Sequence, residues 1–272
     1  MTGYVQITRS GHGKAGYVPA AGFAFARDRA LAPLVADELA HASQYLPLAL
    51  RRYTQEEGTE ALEPVALLSL DAELNMMIAL NGRWLFGYVP ACFRREPFAV
   101  SRAADTDAHL LIREDRVVED AMPGRVGFFA EDGELTPALQ GMAQFVQQLD
   151  TATQATAAIC ARLDAAGLLE PWNLAEDPAL AGYEKKACLP QGLLRVNIEL
   201  INGLDDPAIA ALQRSGALFI AHLQHASMAR LKGLVPLAQA YEKAHASKQA
   251  TAPAAQSGVG ELFGEESDTF SF

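Results

Sequence analysis

Along the first half of the chain, apolar residues alternate with polar ones or gather in short runs. In the second half they recur at helical spacing. Tyr4, Val5 and Ile7 interleave with polar neighbours and predict a strand over 4–8, followed by a glycine-rich loop over 11–16. Leu34, Val35 and Leu39 predict a short helix within 32–41, and Pro47 stops it from continuing into 46–50, which reads as extended. Residues 64–70 form an apolar run fit for a buried strand. Residues 74–80 and 83–89 are apolar runs separated by Asn81-Gly82, the pair that favours a two-residue type I′ turn, so a β-hairpin is expected there. Pro90 and Pro97 bracket 91–96, which reads as an edge or loop.

The helical period begins at Thr136, a candidate cap, with Pro137 at the first helical position. Leu139, Met142, Phe145, Val146 and Leu149 mark one face, and Gly167 supplies a stop. An irregular stretch over 170–186 leads to a strand expected over 193–201. Asp206-Pro207 then starts a further helix ending at Gly216, helical spacing resumes over 217–231, and a last helix runs toward His245. The predicted fold class is α+β: a strand-rich N-terminal half with a β-hairpin, a helix-rich C-terminal half and a disordered C-terminal tail. Residues 1–247 make a single domain and 248–272 a flexible acidic tail, whose last stretch, 261–272, holds four acids and no base.

Composition narrows the function classes. With 272 residues, half of them hydrophobic, the chain can bury a core without disulfides. Cys92, Cys160 and Cys188 are odd in number and lie outside any CxxC, which suits a reducing compartment. A formal charge of −11 offers no footprint for nucleic acid. No apolar run approaches the roughly 20 residues that span a bilayer, and the N-terminus does not read as an export signal. The expected location is cytoplasmic, with signal-less secretion as an alternative.

Candidate chemistry is sparse. His222 and His225 sit three apart on a predicted helix, but neither HExxH nor an HxD/E pair accompanies them, and neither a metal nor a cofactor is expected. Gly11, Gly13 and Gly16 spell G-x-G-x-x-G without the strand and helix that a dinucleotide site requires. Cys92 has Arg94 and Arg95 nearby, which favour a thiolate, while a buried structural cysteine is the plainer reading. Trp84, Tyr88, Arg94, Arg95 and Phe98 form the densest cluster of residue types that anchor binding partners; the alternative is an aromatic core with surface arginines.

The string from Asn75 to Phe98, NMMIALNGRWLFGYVPACFRREPF, resembles the signature of the SapC family: Asn, strand, Gly-x-Trp, Tyr-x-Pro-Ala, Arg-Arg and Pro-Phe. Gly127 to Leu139, Gly192 to Leu204 and Ser215 to Leu234 resemble further elements of that family, and Glu96 departs from it where tyrosine is usual. The resemblance implies association with bacterial surface layers and proximity to outer-membrane TonB-dependent receptors, with no established catalytic residues. A peptide-transport permease sharing the name is unrelated.

Two readings of function follow. The first is a soluble accessory protein that binds a protein or peptide partner of such a system, without nucleic acid or membrane insertion. Trp84, Tyr88, Arg94, Arg95 and Phe98 are its anchors, and Phe263, Phe270 and Phe272 offer a second, tail-mediated contact. The second is an enzyme modifying a peptide or sugar through a carboxylate or metal site, with Glu131, Asp132 and Glu134 as candidate acids, although Asp-Gly is also a strong turn signal.

Overall fold

The computed structural model describes residues 3–54, 58–101, 109–119 and 122–251, with side chains to residue 244. The expected α+β class is observed, with strands mainly in the N-terminal half and helices mainly in the C-terminal half.

At the centre lies an antiparallel sheet of five strands in the order β10-β11-β4-β5-β3. Its spine is a hairpin of β4 (Leu48–Thr54) and β5 (Glu60–Leu67), in register from Leu48 opposite Ala66 to Thr54 opposite Glu60. From Leu62 to Leu67 every residue of β5 is buried, which is why this run lacks a polar alternation. Arg51 and Glu63, directly opposite across the hairpin, form an ion pair of 2.7 Å. β3 (Leu31–Pro33), β10 (Leu169–Pro171) and β11 (Leu193–Val196) complete the sheet.

Two smaller three-stranded sheets lie outside it. One contains β1 (Tyr4–Gln6), β7 (His109–Arg113) and β6 (Phe98–Ser101). The other contains β8 (Val117–Val118), β2 (Gly16–Tyr17) and β9 (Val126–Gly127).

The helices are α1 (Arg9–His12), α2 (Ala36–Ala42), α3 (Ala91–Arg94), α4 (Pro137–Ala165), α5 (Ile198–Asn202), α6 (Asp206–Arg214), α7 (Ala217–Ser227) and α8 (Leu234–Thr251). α4 serves two apolar clusters. Cys160 and Leu163 join the large cluster around the five-stranded sheet, whereas Leu139 and Val146 join a small one with Tyr17, Phe98, Ile112 and Phe128. Tyr17 meets Phe98 edge-on at 4.8 Å and stacks on Phe128 at 6.2 Å.

Several expectations are corrected. Residues 74–89 reverse direction, but around a three-residue loop: Ala79 N–H donates to Arg83 O and Gly82 N–H to Ala79 O, with Gly82 at φ +85°. The flanks share one bridge, between Ile78 and Trp84, rather than two long strands. The reason lies far away in sequence. Arg27 donates to the carbonyls of Ala79 and Leu80, Phe23 N–H donates to Gly82 O, and Asn75 Nδ2 donates to Ala26 O. Backbone groups that a ladder would have paired are thereby satisfied by the 23–27 segment.

Residues 91–94, expected as an edge or loop, are α3. The strand expected over 193–201 ends at Val196, because Asn197 accepts from Leu200 N–H and caps α5. Asp205, not Asp206, caps α6 by accepting from Ala208 N–H. Thr136 precedes α4 without capping it; its hydroxyl donates to Gly127 O. Part of the 11–16 loop is the turn of α1, which Thr8 caps, and α8 runs past residue 247 to Thr251. Phe263, Phe270 and Phe272 lie outside the described residues.

Candidate functional site

The signature segment is organised by Glu38, a residue that the sequence did not single out. It is 6% exposed, in the first turn of α2. Its Oε2 accepts from Val35 N–H at 3.1 Å, closing the helix start. Its Oε1 accepts from the Tyr88 hydroxyl at 2.5 Å and from Ala91 N–H at 2.6 Å, and the Arg94 guanidinium stands 3.9 Å away. One carboxylate therefore ties α2 to the Tyr88-Val89-Pro90-Ala91 turn and the start of α3. Burial, reinforced by the adjacent Glu38 carboxylate, pushes the Tyr88 hydroxyl pKa well above its ordinary value, so it stays a donor.

Of the five proposed anchors, Tyr88 and Arg94 are brought together. The Arg94 guanidinium lies 5.9 Å from the Tyr88 ring centre and 5.3 Å from that of Phe145 on α4, with about half of the side chain exposed. Arg95 is half-buried, and its charge acts on Tyr4 and Cys92 rather than joining the Arg94 stack. Trp84 is 8% exposed, wedged between Phe23 and Phe93 at 5.7 Å each, with Nε1 lacking a partner among the described residues. Phe98 is fully buried in the small cluster. Trp84 and Phe98 thus present almost no surface: the side chains that an anchor would offer a partner here fill the cores.

The remaining candidates separate. Cys92 is pushed up to about 12, chiefly by burial and then by Glu38, against weaker opposing effects of Arg95 and Arg29; it is a protonated thiol, not a thiolate nucleophile. Glu131, Asp132 and Glu134 are exposed in a tight turn, with Gly133 at φ +86° and Glu134 N–H donating to Asp132 Oδ1. His222 and His225 are exposed on α7, and among the described residues no three His, Cys, Asp or Glu side chains converge as metal ligands.

What the signature segment does expose is its tip. Leu85 and Phe86 are 44% and 39% exposed, and Tyr45 beside them is 45% exposed. Between this tip and α8 run two adjoining cavities of about 430 and 330 Å3 that share Leu237. Met76, Leu80, Leu85 and Tyr241 line the larger; Tyr45, Phe86, Arg230 and Lys232 border the smaller. Among the described residues, neither is lined by a carboxylate. The adjacent Leu85-Phe86 pair was the available signal, masked by the strand reading of 83–89.

The family model of SapC matches residues 7–234, most of the chain and all of this signature segment. The chain belongs to the SapC family. No curated protein and no solved structure matches it. In this SapC protein, then, Asn75, Gly82, Trp84 and Tyr88 shape and anchor the segment, while Leu85, Phe86 and Arg94 are among the residues that it shows to solvent.

Proposed function

We propose that this SapC protein is an accessory protein that binds a polypeptide partner, in the surface-layer or TonB-dependent uptake context that the family resemblance implies. The observation carrying the reading is the apolar groove between the signature tip and α8, with Leu85, Phe86 and Tyr45 held in solvent at its edge. Its occupant is a segment with large apolar side chains flanked by carboxylates: the apolar lining takes the former, and Arg230 and Lys232 meet the latter. Groove and cations together favour recognition over chemistry, since among the described residues the lining supplies no carboxylate, histidine or cysteine. Three free thiols support a reducing, cytoplasmic compartment, and no described helix is long and apolar enough to cross a membrane.

A photo-crosslinking residue placed at Phe86 of the full chain, in cells that express it, tests the proposal. The expected result is adducts with a surface-layer or receptor polypeptide that disappear in the Leu85→Asp variant. Adducts with neither class, or adducts indifferent to Leu85→Asp, would overturn it.

A further inference from the structure

The chain carries a segment with the chemistry that this groove accepts. Leu262 and Phe263 are adjacent large apolar residues, with Glu261 before them and Glu265, Glu266 and Asp268 after them. We infer that this segment is an internal occupant of the groove, so that the chain caps its own docking surface and a partner must displace it. The inference rests on the groove reading above.

Reach permits it. α8, which forms one wall of the groove, ends at Thr251. Leu237 lies about 21 Å back along that helix, at about 1.5 Å per residue. The stretch from Thr251 to Leu262 spans up to about 36 Å when extended, at about 3.3 Å per residue. Gly258 and Gly260, after the short Ala-rich stretch 252–257, are residue types that permit chain reversal. Charge agrees as well: in a chain of net charge −11, the acids of 261–268 would approach Arg230 and Lys232 at the groove rather than another acidic face.

Tethering makes even a weak contact count. At an effective concentration on the order of 1 mM for a short flexible connection, a self-contact with a Kd of about 100 µM fills the groove about nine-tenths of the time. An external ligand then binds about tenfold more weakly than it would to an open groove.

The experiment compares the full chain with a full-length variant carrying Leu262→Ser and Phe263→Ser, each titrated by fluorescence anisotropy with a labelled peptide of residues 258–272. The expected result is about tenfold tighter binding to the variant, independent of protein concentration, and abolished in both by Leu85→Asp. Equal binding by the two proteins, sensitive to Leu85→Asp, overturns self-capping and leaves the groove reading standing. A difference that grows with protein concentration assigns the tail to exchange between copies and overturns the intrachain contact. Binding to neither protein overturns self-capping together with the groove reading on which it rests.

Discussion

Replacing Glu38 by alanine removes the acceptor shared by three donors and separates α2 from the signature turn. The Val35 and Ala91 amides are left in a buried site, and each unpaired buried amide costs about 1–3 kcal/mol. The Tyr88 hydroxyl is half-buried and turns to water at smaller cost. One methylene also leaves the packing with the carboxylate, at about 0.8 kcal/mol. Release from holding a desolvated carboxylate offsets part of this, so the net loss is about 3–5 kcal/mol, the range for breaking a buried charged network from one side. At about 2–4 °C per kcal/mol for a chain of this class, the melting temperature falls by about 6–20 °C. Glu38→Gln keeps an acceptor and the shape, and loses about half as much. Urea denaturation of the parent, Glu38→Ala, Tyr88→Phe and the double variant gives the coupling directly, expected at about 1–2 kcal/mol. A Glu38→Ala midpoint equivalent to less than 1 kcal/mol of change, or additive effects in the cycle, would refute the role of Glu38 as the hub.

Gly82→Val should lose about 1–3 kcal/mol, because a β-branched residue is strained at φ +85° whatever room surrounds it; thermal melts decide. Phe98→Ala should cost about 3–5 kcal/mol as a core deletion, whereas Arg94→Ala, on an exposed partner of Glu38, should cost about 1 kcal/mol or less, and reversed ranks in denaturant titration would contradict the burial assignment. Native protein at pH 8 should react with a thiol reagent first at exposed Cys188, more slowly at partly exposed Cys92, and at buried Cys160 only after unfolding. The Cys92 and Cys160 thiols are raised from 9.0 to about 12, so they favour the folded state below pH 9, and that contribution is lost as the pH rises through about 12; melts across this window should show the decline.

Elements whose determinants are local were legible. Pro137 and Gly167 bracket α4 as read, and the apolar run at 64–70 is the buried β5 strand with its continuation. The 74–89 segment was misread because its deciding partners, Arg27 and Phe23, are some fifty residues away, and nothing in Asn81-Gly82 announces that a guanidinium will take the turn's carbonyls. Glu38 passed unnoticed in the sequence: it falls in the first turn of α2, where an acid already has a local explanation, and only tertiary contact sets Tyr88 and Ala91 upon it. Trp84 and Phe98 have the composition of anchors and of core alike, and burial, a property of the assembled fold, assigns them to the core. The inverse holds for Leu85 and Phe86, which a strand would have turned to opposite faces and the irregular loop presents side by side to solvent.

α4 runs 29 residues, about 43 Å, and its two ends belong to different apolar clusters. Opening the small cluster alone would strand an amphipathic half-helix in water, still hydrogen-bonded to the half that remains packed. Each cluster can therefore raise the opening free energy of the other through a backbone they hold in common. Amide exchange along this one helix becomes a ruler. If the clusters open separately, protection should step between Val146 and Thr156; if the helix welds them into one cooperative unit, it should be level from the second turn onward.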